Sequence, residues 1–339
     1  MTRKICIILI SVILCAAVLT GCGQREQRVT VFAMNTVMQL TVMTNDDELL
    51  GSCTELINKT ENMLSVTREG SLTSELDSSG ELRDAPEEFI SLLSDCIAYS
   101  EMTDGAFDIT AYPIVRAWGF TTGEHRVPGE DEIADAVSKT GYGNIVIDGG
   151  SVLLANGAEI DFGGIAKGYL GDRIRERLIS AGVRSALIDL GGNITVIGKN
   201  GFSDWVIGIG TPSRFEEGLV GTLKVHDTSV VTSGSYRRYF EENGKIYGHI
   251  MDPATGSPAE SGLASVTIVS QNTELADALS TGLYVMGLDG AVRVWREQGS
   301  FEAVFVTDDG TVYITEGLAK CFTLNKDYTE NLVIVEKNG

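Results

Sequence analysis

The chain has 339 residues, 26 Lys+Arg against 47 Asp+Glu, and a formal net charge of −21. A chain this acidic repels a polyanion and has no basic stripe, which argues against a nucleic-acid partner. With 43% apolar and 22% charged residues it is globular and long enough to bury a sizeable core, and six prolines beside 39 glycines favour tight turns over Pro-rich linkers.

Taken in chain order, Arg3 and Lys4 precede an apolar run from Ile5 to Leu19. Fifteen helical residues span about 22 Å, short of the roughly 30 Å hydrocarbon core of a bilayer. Residues 1–21 therefore read as a signal peptide. Leu19, Thr20 and Gly21 before Cys22 resemble a bacterial lipobox, which makes Cys22 the lipidated first residue of the mature chain. A plain secretory signal or a membrane anchor is the alternative. Lipidation implies a protein held on the extracytoplasmic side of the bacterial cell membrane without spanning it. Residues 22–28 read as a tether and 29–339 as one domain. The remaining cysteines, Cys53, Cys96 and Cys321, are too widely spaced for a zinc cluster or a disulfide framework.

Val29 to Met43 reads as a first strand and 47–64 as a helix, with 65–85 an irregular loop. Helical spacing returns from Pro86 to Met102. A strand pair turns at Gly149 and Gly150 within 143–160, and a helix covers Lys167 to Ala181. Strands follow at 184–190, 193–198, 205–210, 219–225, 228–233 and 265–270, then a helix from Asn272 to Met286. Strands at 301–306, 311–315 and 332–336 close the chain. The fold class is α+β: a single compact domain of mixed, largely antiparallel sheets with packed helices.

The sequence has no P-loop, no Rossmann fingerprint, no G-x-S-x-G elbow and no H-E-x-x-H. Its histidines are His125, His226 and His249, so chemistry falls to carboxylates, hydroxyls, glycine-rich backbone and one histidine at most. Asp161, Phe162, Gly163 and Gly164 lead from a strand into a helix that begins near Lys167. This is either a tight connection capped by Asp161 or an anion site made by a helix N-terminus and a lysine. Asp277 and Thr281 are four apart on a helix and point away from its Leu275–Leu279–Leu283 stripe. They form either a solvated face or a pair of hard oxygen donors suited to Mg²⁺. His249 precedes the turn signal Asp252, Pro253, Ala254, Thr255, Gly256 and is either structural or a general base. Ala106, Phe107 and Asp108 follow a helix stop at Gly105, and Thr232 to Tyr239 concentrates hydroxyls and bases.

The order of these stretches resembles the ApbE family of FAD:protein FMN transferases, from about Met34 to Thr315. Asp161 to Gly168 is similar to that family's D-x-G-G-x-A-K-G, Ala106–Phe107–Asp108 to its flavin-site loop, and Met34–Asn35–Thr36 to its Met-Gly-Thr. Thr232 to Tyr236, His249 to Pro253 and Ala276 to Thr281 match its later motifs. Leu64, Ser65, Val66 and Thr67 depart from the family's pattern in lacking its aromatic residue. The resemblance implies an ApbE-like, T-fold-related domain that binds FAD and Mg²⁺, transfers FMN to a Ser or Thr of an acceptor in a membrane redox system, and releases AMP. It implies metal donors Gly164, Asp277 and Thr281, and a base, His249. It also implies flavin-nucleotide contacts from Met34, Ala106, Phe107, Asp108, Asp161, Lys167 and Ile250. A Mg²⁺-dependent FAD pyrophosphatase and a non-catalytic flavin-binding lipoprotein are the competing readings.

Overall fold

The computed structural model describes residues 24–212, 218–326, 328 and 331–338. The segment read from sequence as a signal peptide, and Cys22, lie outside them. The described chain opens on a hairpin, β1 (Arg25–Ala33) and β2 (Thr36–Thr44), turning at Met34 and Asn35 with φ 48° and 58°. Two consecutive positive φ values make a turn whose twist matches that of the strands. The sequence reads one strand here and a tether before it; instead Arg25–Arg28 pair with Thr41–Thr44 inside the sheet.

Helix α1 (Leu49–Leu64) buries Leu49, Cys53 and Ile57 as its spacing predicts. Residues 65–85, expected to be irregular, contain α2 (Leu72–Ser79) and the two-residue β3 (Glu81–Leu82). Ser71 caps α2 by accepting the Ser74 N–H at 3.0 Å, and Gly80 ends it at φ 72°. The serine-rich composition hides this helix, because serine favours caps as much as turns. Helix α3 (Glu87–Met102) starts behind Pro86. Two helices are not anticipated: α4 (Tyr112–Ala117) is short, and α5 (Glu130–Lys139) fully buries only Ala136.

The hairpin β4 (Ile145–Asp148) and β5 (Ser151–Leu154) precedes α6 (Ala166–Ser180). Then come β6 (Ser185–Leu190), β7 (Asn193–Gly198), β8 (Trp205–Gly210), β9 (Leu219–Val225) and β10 (Thr228–Ser233). Short pairs β11 (Tyr239–Glu242) with β12 (Lys245–Gly248), and β13 (Met251–Asp252) with β14 (Ser257–Pro258), lead to β15 (Leu263–Ser270). Helix α7 (Thr273–Gln298) continues well past Met286: Gly287, at φ 74° and ψ 177°, breaks the path and the helix resumes. Strands β16 (Glu302–Thr307), β17 (Val312–Thr315), β18 (Phe322–Leu324) and β19 (Leu332–Val335) finish the chain.

One nine-stranded sheet runs β1-β2-β6-β7-β10-β15-β16-β17-β19. Its pairs are antiparallel except β17 with β19, so the largely antiparallel expectation holds. Both faces are covered, and side-chain alternation sorts the strands between them. Val231, Ile268 and Phe305 join Leu279 and Leu283 of α7 in one core. Their neighbours Val230, Val269, Val304 and Val306 join Ile207 and Leu223 of the β18-β9-β8 sheet in another. Cys53 and Cys96 are buried, Cys321 is half-buried, and all three are free thiols. Among the described residues no helix is long and apolar enough to cross a membrane.

Candidate active site

The site forms where α6 meets α7. Thr273 to Ser280 are all buried, so α7 has no solvated face there, and Asp277 is 3% exposed. Its Oδ2 accepts the Gly168 N–H at 2.8 Å. Gly168 is the third residue of α6, so Asp277 acts as an N-terminal cap supplied by a different helix. The positive end of α6 favours an anion at that point. The approach is close because Gly168 has no side chain: a Cβ there would lie 2.5 Å from the Thr273 carbonyl oxygen.

The glycine turn lies against the same helix. Asp161 Oδ1 accepts the Gly163 N–H at 2.9 Å, closing the turn as a local cap. A Cβ on Gly164 would stand 3.7 Å from Thr281 Oγ1 and 3.4 Å from the Phe107 ring. Gly164, Asp277, Thr281 and Phe107 are thus brought together, although 57 or more positions separate any two of them except Asp277 and Thr281. Lys167 Nζ lies 3.5 Å from Asp277 Oδ2 and 3.5 Å from the Gly163 oxygen. Because Asp277 takes the Gly168 N–H, the α6 N-terminus is less open to a phosphate than the sequence suggests, and Lys167 is the positive group left facing the turn.

Phe107 is 3% exposed, wedged between the glycine turn and Gly282 of α7. Asp108 holds its loop. It accepts from Thr110 N at 2.8 Å, Thr110 Oγ1 at 2.6 Å and Tyr142 N at 2.7 Å. These donors occupy both carboxylate oxygens, so Asp108 serves to position Ala106 and Phe107 rather than to meet a ligand with a free carboxylate. Loss of hydration raises its pKa from the ordinary aspartate value despite those donors. Met34 sits at the hairpin turn, its N–H donating to Glu61 Oε1 at 2.7 Å.

His249 belongs to a wall that includes Phe120, whose ring centroid is 6.3 Å from the imidazole. Its Nδ1 is 3.0 Å from the Arg238 carbonyl oxygen. A carbonyl only accepts, so Nδ1 carries the hydrogen and Nε2 keeps its lone pair. Burial, then the charge of Arg238, lowers the imidazole pKa to about 4, so it is neutral at pH 7. Lys167 also acts on His249, and both Arg238 and Lys167 act on Asp161, whose carboxyl burial raises. His249 and Asp161 thus both feel the charges of Arg238 and Lys167. Ile250, 6% exposed, turns into the core beside them. The Trp118 Nε1–H donates to the Gly256 oxygen at 2.8 Å and ties the turn after His249 to the aromatic loop. A cavity of about 430 Å³ borders this wall, lined by Phe120, Thr121, Thr122, His125, Arg237 and Arg238. Arg238, which orients His249, has no role assigned from sequence; the only signal was its place in the Thr232–Tyr239 stretch.

Among the described residues no three His, Cys, Asp or Glu side chains cluster as a metal site. A Mg²⁺ site needs no such cluster, since one or two carboxylates with water and phosphate suffice. The donors here fit. Asp277 is a buried carboxylate whose two contacts, from Gly168 and Lys167, both fall on Oδ2. No hydrogen bond or ion pair falls on Oδ1 among the described residues; Thr281 lies one helical turn on, and its hydroxyl is 3.7 Å from where a Gly164 Cβ would stand.

A family model described as ApbE family matches residues 34–305. The FAD:protein FMN transferase of Klebsiella pneumoniae (strain 342) is 32% identical over 287 residues, covering 83% of this chain and 89% of that one. That of Treponema pallidum (strain Nichols) is 32% identical over 285 residues, 78% of each chain. Among solved structures, the ApbE protein of Thermotoga maritima aligns with a TM-score of 0.81 at 34% identity, covering 86% of this chain and 98% of that one. The apo flavinyl transferase ApbE of Pseudomonas stutzeri aligns with a TM-score of 0.79 at 28% identity, covering 89% and 98%.

Proposed function

This chain belongs to the ApbE family, and on that footing we propose that it transfers FMN from FAD to a Ser or Thr of an acceptor protein with Mg²⁺ held at Asp277. The acceptor oxygen forms a bond to the FMN phosphorus. The bond from that phosphorus to the AMP oxygen breaks, and AMP leaves. The bound Mg²⁺ supplies charge neutralisation for the pyrophosphate. Asp277, Thr281 and the Gly164 carbonyl would hold it, and Lys167 would add positive charge for the phosphates. Phe107 and the loop that Asp108 fixes lie where the flavin end is received. His249 Nε2 accepts the proton of the incoming hydroxyl. The observation that carries this reading is the meeting of Asp277, Thr281 and the glycine turn at the mouth of α6.

Following AMP and FMN with and without an acceptor tests it. Transfer predicts AMP release that depends on acceptor and FMN that stays on the protein. Free FMN appearing at equal rate without acceptor makes the chain a pyrophosphatase, and intact FAD makes it a binder only.

His249→Ala is expected to slow transfer by about 10²–10⁴-fold while FAD binding persists. With the imidazole pKa near 4, kcat/KM should be flat in this group from pH 5 to 8 and fall below it as Nε2 is protonated. Unchanged turnover in the variant would end the assignment of base. The N-terminal segment supports a lipid anchor at Cys22 on the extracytoplasmic face, near a membrane redox acceptor. Cys22→Ser should then move the protein from the membrane to the soluble fraction; membrane retention would contradict it.

A further inference from the structure

Thr281 does not stand alone. Its Oγ1 is 3.2 Å from Ser233 Oγ, at the end of β10. Ser233 Oγ is 2.8 Å from Ser280 Oγ, and the Ser280 hydroxyl donates to the Asp277 carbonyl oxygen at 2.9 Å. Each hydroxyl has one hydrogen to give, and the carbonyl can only accept. Only one direction satisfies all three contacts: Thr281 donates to Ser233, Ser233 to Ser280, and Ser280 to the carbonyl. The reverse direction leaves the Ser280–carbonyl contact without a hydrogen.

We propose that Ser233 and Ser280 are positioning residues that draw the Thr281 hydrogen away from the site, so that the Thr281 oxygen presents its lone pairs to the divalent cation. The inference rests on the metal reading above. A hydroxyl that binds a cation must aim its hydrogen elsewhere, and groups that fix the orientation of a metal ligand strengthen binding without touching the metal. Ser280 is fully buried and faces the sheet rather than the site. Its place in the relay gives it an influence that its position alone does not.

The test reads Mn²⁺ binding to the FAD-free protein by the electron paramagnetic resonance of the free ion, with Mg²⁺ as competitor. Ser233→Ala should weaken Mn²⁺ binding by about tenfold. Ser280→Ala should weaken it in the same direction, because Ser233 loses its acceptor and can turn its hydrogen towards Thr281. The double variant Ser233→Ala/Thr281→Ala should bind no worse than Thr281→Ala alone, since Ser233 works only through Thr281. Thermal unfolding without metal identifies a variant that has lost its fold; if Ser233→Ala has, Ser280→Ala carries the test. Wild-type affinity in a folded Ser233→Ala or Ser280→Ala, or additive losses in the double variant, would overturn the relay. If Thr281→Ala and Asp277→Asn also bind Mn²⁺ normally, the metal site itself fails and the relay with it.

Discussion

Replacing Asp277 by Asn should lower FMN transfer by about 10³-fold or more, the scale for removing a group that stabilises transition-state charge. Asn has the same shape, and its side-chain oxygen can still accept the Gly168 N–H that Asp277 Oδ2 accepts at 2.8 Å. Folding should therefore be nearly unchanged while the negative charge is lost. The more obvious Asp277→Ala is a poorer test. It would strand the Gly168 N–H in a buried place, at a cost of about 1–3 kcal/mol, and confuse lost folding with lost chemistry. Transfer by Asp277→Asn within a few-fold of wild type, with the acceptor mass confirming the product, would remove the carboxylate from the mechanism.

Gly168→Ala should damage both stability and transfer. Alanine gains up to about 1 kcal/mol of helix propensity over glycine in the middle of a helix. Against this, a Cβ at Gly168 would stand 2.5 Å from the Thr273 oxygen, 2.6 Å from Asp277 Cβ and 2.8 Å from Glu274 Cα. Two of these are backbone atoms that no rotamer change can move aside, and overpacking of this kind costs about 1–3 kcal/mol or more. The clash wins. It is relieved by separating α6 from α7, which moves Asp277 relative to the glycine turn, so residual folded protein should also transfer poorly. Gly51→Ala in α1 is the control: nothing lies within 4 Å of its Cβ position, so it should hold or raise the unfolding midpoint. Equal midpoints for the Gly168 variant and wild type would contradict the close-packing account.

Much of the scaffold is legible locally, because strands with one apolar face and helices with a period of 3.6 announce themselves. The hairpin turn at Met34 and Asn35 is hidden because methionine gives no signal for the positive φ it adopts. The end of α7 is hidden for a related reason. Gly287 does interrupt the helix, as glycine signals, but Val294 and Trp295 are drawn into the core and the helix resumes. At the site, the pairing of Asp277 with Thr281 follows from helix geometry alone. The burial of Asp277 does not. Two positions past Leu275 lies the opposite side of the helix, which reads as solvated until α6 is found packed there through Gly168. Likewise the lone pair of His249 depends on the Arg238 carbonyl, and the orientation of Thr281 on Ser233, both partners distant in sequence. Spacing shows which residues share a face; only packing shows what covers it.

The most direct measurement of the central claim is the intact mass of a Ser/Thr-containing acceptor peptide after incubation with the protein, FAD and Mg²⁺. The account predicts the added mass of one FMN group on a Ser or Thr, lost when the metal is chelated and restored by Mg²⁺. An unmodified peptide while AMP and free FMN accumulate, or transfer that persists undiminished under chelation, would contradict it.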